Sequence, residues 1–502
     1  MRSVEARTEY DGPRRRQAVS SDAEVALLPR LPASVPADLW TSSYSARVAA
    51  ALQEASGRRR RTLVSVTKEV EVDDPCAAVF ASRLASDRWF CWEQPDREFA
   101  LAGLGVAHEA SSRGEGRFAD VADECLRVGG GAVLDEPRGL PAGAGPVWLG
   151  GFAFDPDGGS TPTWSSLAPA SLVLPEVAIC RSGGRAFLSV NAVVQPGQGV
   201  DELGERLSSR LASLRLDAPL PLLDPHPTAH AEIRSARPPG EFEAAVEGAT
   251  ARIAAGEMSK VVLAREVIVS AGAAHDPAAL FGAMREQFPA CFCFCCGTPE
   301  AAFIGASPEL LVRRSGASAS TVALAGSTRR SSDPAVDDHL GEQLLRSDKD
   351  RREQQIVAER IVRALRPHAV WVQAGAEPEI ARVANIQHLA TPIVAQLAES
   401  HSAIELAGML HPTPAVGGEP WPDAAAAIGA LEGMDRGWYA APVGWMDATE
   451  DGEFCVALRS ALLRDREAHL FAGVGVVAGS DPAAELAETE VKLGALLPLL
   501  AE

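Results

Sequence analysis

The 502-residue sequence predicts a large mixed fold in which buried strands and helices share one chain. Three observations predict it. Residues 260–270, KVVLAREVIVS, are largely apolar on both faces at period two, as expected of a strand covered on both sides. Residues 241–256 and 336–365 carry apolar positions at helical spacing, and the segment from 481 has an Asp-Pro helix start with Glu485, Glu488 and Lys492 on one face. With 46% hydrophobic and 23% charged residues, a chain of this length can bury a large core.

The segments follow in order. Residues 1–40 read as a loosely held or disordered arm. The arm has arginines but no apolar run behind them, and it carries Glu5, Glu9, Asp11 and Asp22. That fits neither a secretory signal nor a transit peptide, and the expected location is the cytoplasm. No uninterrupted apolar stretch is long enough to cross a bilayer. The four arginines at 58–61 read as a solvated patch, because a net charge of −20 argues against a nucleic-acid binder. An anionic small substrate remains compatible, since a site can be locally positive in an acidic protein. Residues 41–216 form the first part of the fold, where strand-like and helix-like patterns alternate with Gly-rich loops. Residues 217–240 are Pro-rich and read as a surface connection. Residues 241–502 form the second part.

Within the second part, the helix pattern over 241–256 uses Phe242, Val246, Ala249 and Ile253, with Gly256 suited to its end. The 260–270 strand follows, with Lys260 at its entrance. Next come four of the nine cysteines, within 291–296. Cys291, Cys293 and Cys295 alternate with Phe292, Phe294 and Cys296, so each set points to one face of a strand. A structural zinc site needs a second pair spaced like Cys293 and Cys296, and the sequence has none. Scattered positions and an odd count do not suggest a disulfide framework. The segment reads as a buried strand, since free cysteine packs as a small hydrophobe. A turn at 297–299, a second strand near 302–305 and a corner at Ser307-Pro308 come next. Glu309 then stands directly before Leu310, Leu311 and Val312.

Several of these residues could carry chemistry. Burial of Lys260 would favour its neutral amine and suit a general base; otherwise its stem is buried and its head reaches water. Glu309 has the mirror argument as a general acid, with a cap or turn role as the alternative. Glu353 lies four residues after Lys349 on the 336–365 helix. Glu485, Glu488 and Lys492 share a face of the helix that Asp481-Pro482 begins. Oxygen ligands of this kind suit Mg²⁺, although glutamates on helices equally form solvated faces. Arg459, inside the apolar run FCVALRSALL, needs an anion, and its planar fork suits a carboxylate. Gly473 and Gly475 let backbone approach a ligand closely.

Together the segments SKVVLAR, FIGASPELLVRR, ALAGSTRR, LLRSDKDRREQQIV, QHLATPI, LHPTPAVGG, DRGWYAAPVGWMDATEDGEFCVALRSALL and AGVGVVAGSDPAAELAETEVKL resemble the chorismate-utilising enzyme family. The resemblance implies an α+β fold like that of the anthranilate synthase large subunit, with antiparallel-rich sheets packed face to face and helices outside. It makes 241–502 the chorismate-binding part, integrated with 41–216. Family members that add water to C2 of chorismate have lysine where this chain has Lys260; those that use ammonia typically have glutamine. The resemblance therefore implies an Mg²⁺-dependent isochorismate synthase, feeding menaquinone or siderophore synthesis.

The same resemblance implies roles. Lys260 is the base for water and Glu309 the acid for the C4 hydroxyl. Glu353 and Glu488 hold Mg²⁺, with Glu485 direct or through water. Tyr439 and Arg459 clamp the enolpyruvyl carboxylate, helped by Gly473, Gly475 and Lys492. Gly326, Ser327, His388 and Thr413 line the pocket. Two positions depart from the pattern: Gln354 stands where many relatives have histidine, and Ser327 where threonine is common. A salicylate synthase shares the same acid–base and metal residues and is the alternative. Lys260 argues against an aminating enzyme, and the intact residue set argues against a non-catalytic chorismate binder. No glutaminase subunit, nucleic acid or membrane is expected as a partner, and the protein is expected to be a monomer or weak homodimer.

Overall fold

A computed structural model describes residues 37–501 apart from 59, 225–230 and 384–385. Residues 1–36 of the expected N-terminal arm lie outside the described residues, and a helix, Ala37–Arg58, begins within its last positions. The described chain belongs to one compact unit, Leu31–Glu502. Among the described residues, no helix is long and apolar enough to cross a membrane.

Two sheets organise the molecule. The first has 13 strands among the described residues, and every neighbouring pair is antiparallel except Thr62–Val70 with Val133–Asp135. The second has 10 strands, all paired antiparallel. One apolar core joins them: Trp92, Leu101 and Phe294 come from the first sheet, and Leu149, Phe152 and Phe454 from the second. Gly103 of the first sheet shows how closely the layers approach, because a Cβ there would lie 2.4 Å from Leu149 Cδ1 of the second.

The cysteine segment forms the strand Phe292–Gly297 inside the first sheet. Phe292, Phe294 and Cys296 join the core between the sheets. Cys291, Cys293 and Cys295 face the other way, into a second core with the helices Pro75–Ser82 and Pro277–Gln287. All nine cysteines are buried and free. The partner strand Ala302–Ser307 and the corner after it carry Glu309 to the edge of the core.

The strand Lys260–Ser270 pairs along almost its whole length with Glu467–Val476. Val262 sits opposite Gly475, and Ala264 opposite Gly473. The Pro-rich connection contributes an edge strand, Glu232–Ser235, and its Pro239 opens the helix Pro239–Ala254.

One expected element divides in two. Instead of a single helix over 336–365, the chain forms Pro334–Arg346 and Asp348–Leu365. Ser347 is extended between them, and its hydroxyl accepts a hydrogen bond from the Asp350 backbone N–H at 3.3 Å. An N-cap of this kind satisfies an orphan donor and starts a helix in a new direction. The restart places Asp350 and Glu353 in the first turns of the second helix.

Candidate active site

A cleft of about 970 Å³, counting its mouth, opens where the two sheets meet the helices Asp348–Leu365 and Pro482–Leu493. Glu309, Gly326, Ser327, Glu353, His388 and Tyr439 line it, with Arg459, Gly473, Gly475, Glu485, Glu488 and Lys492.

Lys260 lies directly behind this wall. Its side chain is fully buried, and its Nζ is 2.8 Å from Glu353 Oε1. The contact is an ion pair whose angle is too bent for a hydrogen bond. Gly475 makes the meeting possible. A Cβ there would lie 2.6 Å from Glu353 Oε1 and 3.0 Å from Lys260 Cε, so any larger residue would push lysine and glutamate apart.

Glu309 is 5% exposed, and its carboxyl is pushed up to about 7. Burial is the main cause; Arg459, Lys260 and Lys492 pull in the opposite direction. The acid is therefore partly protonated near neutrality, as a proton donor must be. Its backbone is held at the corner by the Ser307 hydroxyl, which accepts from the Glu309 N–H at 3.2 Å.

Arg459 sits in a left-handed backbone conformation, φ 43°, just before the strand Ser460–Arg464. Its Nη2 is 2.9 Å from His388 Nε2, and His388 Nδ1 is 3.2 Å from the Gly326 carbonyl. Burial, then Arg459 and Lys492, hold the imidazole well below its usual range, so it is neutral. A neutral ring that donates to the carbonyl from Nδ1 must accept from Arg459 at Nε2. The guanidinium keeps further donors for a carboxylate in the cleft. Gly326 itself has φ 68°, and the strand Ser318–Arg329 shifts register beside it, between Ala325 and Ser327. Tyr439 stacks on Phe471 with ring centroids 5.3 Å apart. Burial raises its hydroxyl pKa, which keeps it a neutral donor.

The far end of the cleft is acidic, and each glutamate there has its own lysine. Glu353 meets Lys260, Glu488 meets Lys492 at 2.8 Å, and Glu485 meets Lys349 at 3.5 Å. Burial raises Glu485. Burial acts on Glu488 in the same sense but is outweighed by Lys492 and by the Ser327 hydroxyl, which donates at 3.0 Å, so its carboxyl is held low. Lys492 also donates to the Gly473 carbonyl at 2.8 Å. Oxygen-only donors with no thiol or imidazole match a hard divalent cation. Among the described residues, the one trio of possible ligand groups within 4.8 Å of one another is Asp74, Cys76 and Glu93, elsewhere in the fold. Arg285 fills that place, pairing with Asp74 at 2.7 Å and Glu93 at 3.0 Å. The cleft glutamates are not gathered within that distance, and each meets its own lysine.

Thr413 stands apart from the lining. It is 4% exposed, and Ala415 and Val416 of the same loop reach the cleft instead. Its hydroxyl has no hydrogen-bond partner among the described residues.

Sequence reasoning missed three features. Asp350 lines the cleft one helical turn before Glu353, and burial raises its pKa; the i, i+3 spacing was the signal. Gln354, noted only as a departure, is buried and donates to the Ala323 carbonyl at 2.8 Å and the Thr391 hydroxyl at 3.0 Å. Its amide ties the Glu353 helix to the second sheet. Arg436 and Glu432 form a fully buried ion pair. Arg436 also donates to the carbonyls of Val262 and Val416, both lining residues, while the Ala264 N–H donates to Glu432 at 2.8 Å. No sequence spacing announces that these two charges close inside a core.

Comparison with known proteins shows the family. The family model described as "Chorismate binding enzyme" matches residues 50–501. The chain is 39% identical to the salicylate biosynthesis isochorismate synthase of Pseudomonas aeruginosa over 89% of this chain and 92% of that one. It is 30% identical to the isochorismate synthase MenF of Bacillus subtilis, over 91% and 98%. Among solved structures, the menaquinone-specific isochorismate synthase MenF of Escherichia coli superposes with a TM-score of 0.74 at 28% identity, covering 90% of this chain and all of that one. The chain belongs to the family of chorismate-binding enzymes.

Proposed function

We propose that the protein is an isochorismate synthase, an isomerase that moves the ring hydroxyl of chorismate from C4 to C2. The observation that carries this reading is the pair of Lys260, fully buried at the cleft wall, and Glu309, whose carboxyl is raised to about 7. Addition of water needs a base at one ring carbon and an acid at another. Lys260, as the neutral amine freed from its pair with Glu353, takes the proton of the water that attacks C2. Glu309 gives a proton to the C4 hydroxyl, which leaves as water. One water enters and one departs, so substrate and product are isomers.

Arg459 and Tyr439 hold the enolpyruvyl carboxylate, with Lys492 and the open backbone at Gly473 and Gly475. Gly326, Ser327 and His388 shape the pocket around the ring, while Thr413 lies behind its lining. Glu353 and Glu488, with Glu485 directly or through water, are the residues that would hold Mg²⁺, which supplies positive charge for the ring carboxylate. Because water is the nucleophile, no glutaminase subunit is required. The reading is of a cytoplasmic enzyme, monomeric or weakly dimeric, that feeds menaquinone or siderophore synthesis.

The test is incubation of purified protein with chorismate and Mg²⁺ without an amine donor, with products resolved by chromatography. Isochorismate approaching equilibrium with chorismate is expected. Salicylate with stoichiometric pyruvate would replace the reading with a salicylate synthase. Turnover only with ammonia would overturn the role of Lys260.

A further inference from the structure

The helix Asp348–Leu365 carries Glu353, yet its first turns have little that is apolar to hold them. Residues 348–353 are all charged. The apolar face that packs into the core begins at Val357 and continues through Ile361 and Leu365. Between the Ser347 cap and Val357, Gln354 is the one buried side chain. It is 2% exposed and directly follows Glu353.

Its amide spans one rung of the second sheet. Nε2 donates to the Ala323 carbonyl at 2.8 Å and to the Thr391 hydroxyl at 3.0 Å, and Ala323 and Thr391 lie opposite each other on neighbouring strands. The same strands carry other groups of the cleft. Gly326 and Ser327 follow Ala323 on Ser318–Arg329, and His388 precedes Thr391 on Ile386–Leu397. Ser327 in turn donates to Glu488 at 3.0 Å. One amide therefore links the turn that bears Glu353 to the strand that holds Glu488.

The chemistry of the contact lies on the donor side. Gln354 Oε1 is buried with no hydrogen-bond partner among the described residues. The reverse amide orientation would set that oxygen against the Ala323 carbonyl, acceptor against acceptor. A buried acceptor without a donor costs stability that an apolar side chain of the same length would not. Packing alone therefore favours an apolar residue here, and the two donated hydrogen bonds are what the amide adds. Residues behind a ligand set orient the ligands, and their loss lowers cation affinity.

We propose that Gln354 is a positioning residue of the cation site: its amide fixes Glu353 relative to Glu488 and so sets the affinity for the divalent cation. The inference rests on the reading of Glu353 and Glu488 as the cation ligands.

Mn²⁺ tests it, as a paramagnetic cation that takes the same oxygen ligands. Loss of the free-ion resonance signal measures binding to the full-length protein without turnover, in the presence of excess chorismate. Gln354→Met keeps the length and loses both donated bonds, and Mn²⁺ affinity should fall about tenfold or more. The KM for chorismate at saturating Mg²⁺ should move less than about twofold in that variant. Gln354→His keeps a ring N–H donor and should retain Mn²⁺ affinity within about threefold of wild type. If Gln354→Met does not fold, Thr391→Val, which removes one acceptor and leaves the other, should weaken Mn²⁺ about threefold. Unchanged Mn²⁺ affinity in Gln354→Met, or in Thr391→Val where that variant stands in, would overturn the proposal. So would equal losses in the methionine and histidine variants, or a lowered melting temperature with Mn²⁺ affinity intact. Wild-type protein that binds no Mn²⁺ would overturn the cation reading instead, so the two failures are separable.

Discussion

The two ends of the cleft are built differently. At the Arg459 end, the groups sit on or beside strands of the two packed sheets, and each is pinned: Arg459 by His388, His388 by Gly326, Tyr439 by Phe471. At the glutamate end, the carboxylates stand on two helices and are satisfied by lysines, one of which, Lys349, has a side chain 52% exposed. The strand-built end is organised before substrate arrives. The helix-built end is held by counter-ions, which the proposed Mg²⁺ would replace. Preorganised donors favour recognition of a fixed carboxylate, while exchangeable ion pairs make that end dependent on ionic conditions.

The largest expected effect lies at the glutamate end. Excess chelator should lower isochorismate formation by at least about a hundredfold, with recovery on adding Mg²⁺. Activity unchanged in chelator would show that the lysines are permanent partners and erase the contrast. At the other end, Arg459→Lys keeps the charge but loses the fork, so the KM for chorismate should rise about tenfold to a hundredfold with little change in the Mg²⁺ requirement. A shifted Mg²⁺ requirement in that variant would mean that the two ends act as one unit. Ser327→Ala removes the hydroxyl that donates to Glu488, and a loss of about tenfold in Mg²⁺ affinity is expected from activity titrations.

Glu309 stands between the ends, and its protonation gives two further measurements. Its raised carboxyl must be protonated to act as the acid, so kcat/KM should fall as pH rises above about 7, an arm that Glu309→Gln lacks because it is inactive throughout. Stability has a matching sign. A carboxyl that titrates near 7 when folded and 4.5 when free penalises the native state once ionised. Glu309→Gln should therefore be more stable than wild type at pH 8, by roughly 3 kcal/mol, and lose that advantage as pH falls below about 4.5. Urea titrations at both pH values check it; equal midpoints at pH 8 would show that the cations around Glu309 offset its burial.

Much of the fold was legible because periodicity is local. The alternation of cysteine and phenylalanine over 291–296 predicted a two-faced buried strand, and the chain places the two sets in separate cores. The 336–365 pattern was legible as helical but not as two helices, although Ser347 and Asp350 carry a capping signal three residues apart. Apolar periodicity on either side outweighed that polar cue. Most of the named residues line the cleft, with Asp350 missed and Thr413 set apart, yet their spacing along the chain holds no distance between Lys260 and Glu353, which are 93 positions apart and 2.8 Å apart in space.

The sequence by itself determined the apolar alternation of strands such as Lys260–Ser270 and Phe292–Gly297 and the presence of an acid after the Ser307-Pro308 corner, and it left open whether Lys260 is buried. Tertiary structure alone decided which charges meet. It paired each of the cleft glutamates Glu353, Glu485 and Glu488 with a lysine and closed Arg436 on Glu432 inside the core. The physical reason is range. Hydrophobic period and capping act between neighbours in sequence, whereas ion pairs and desolvation depend on separations of a few ångströms between segments that only packing brings together.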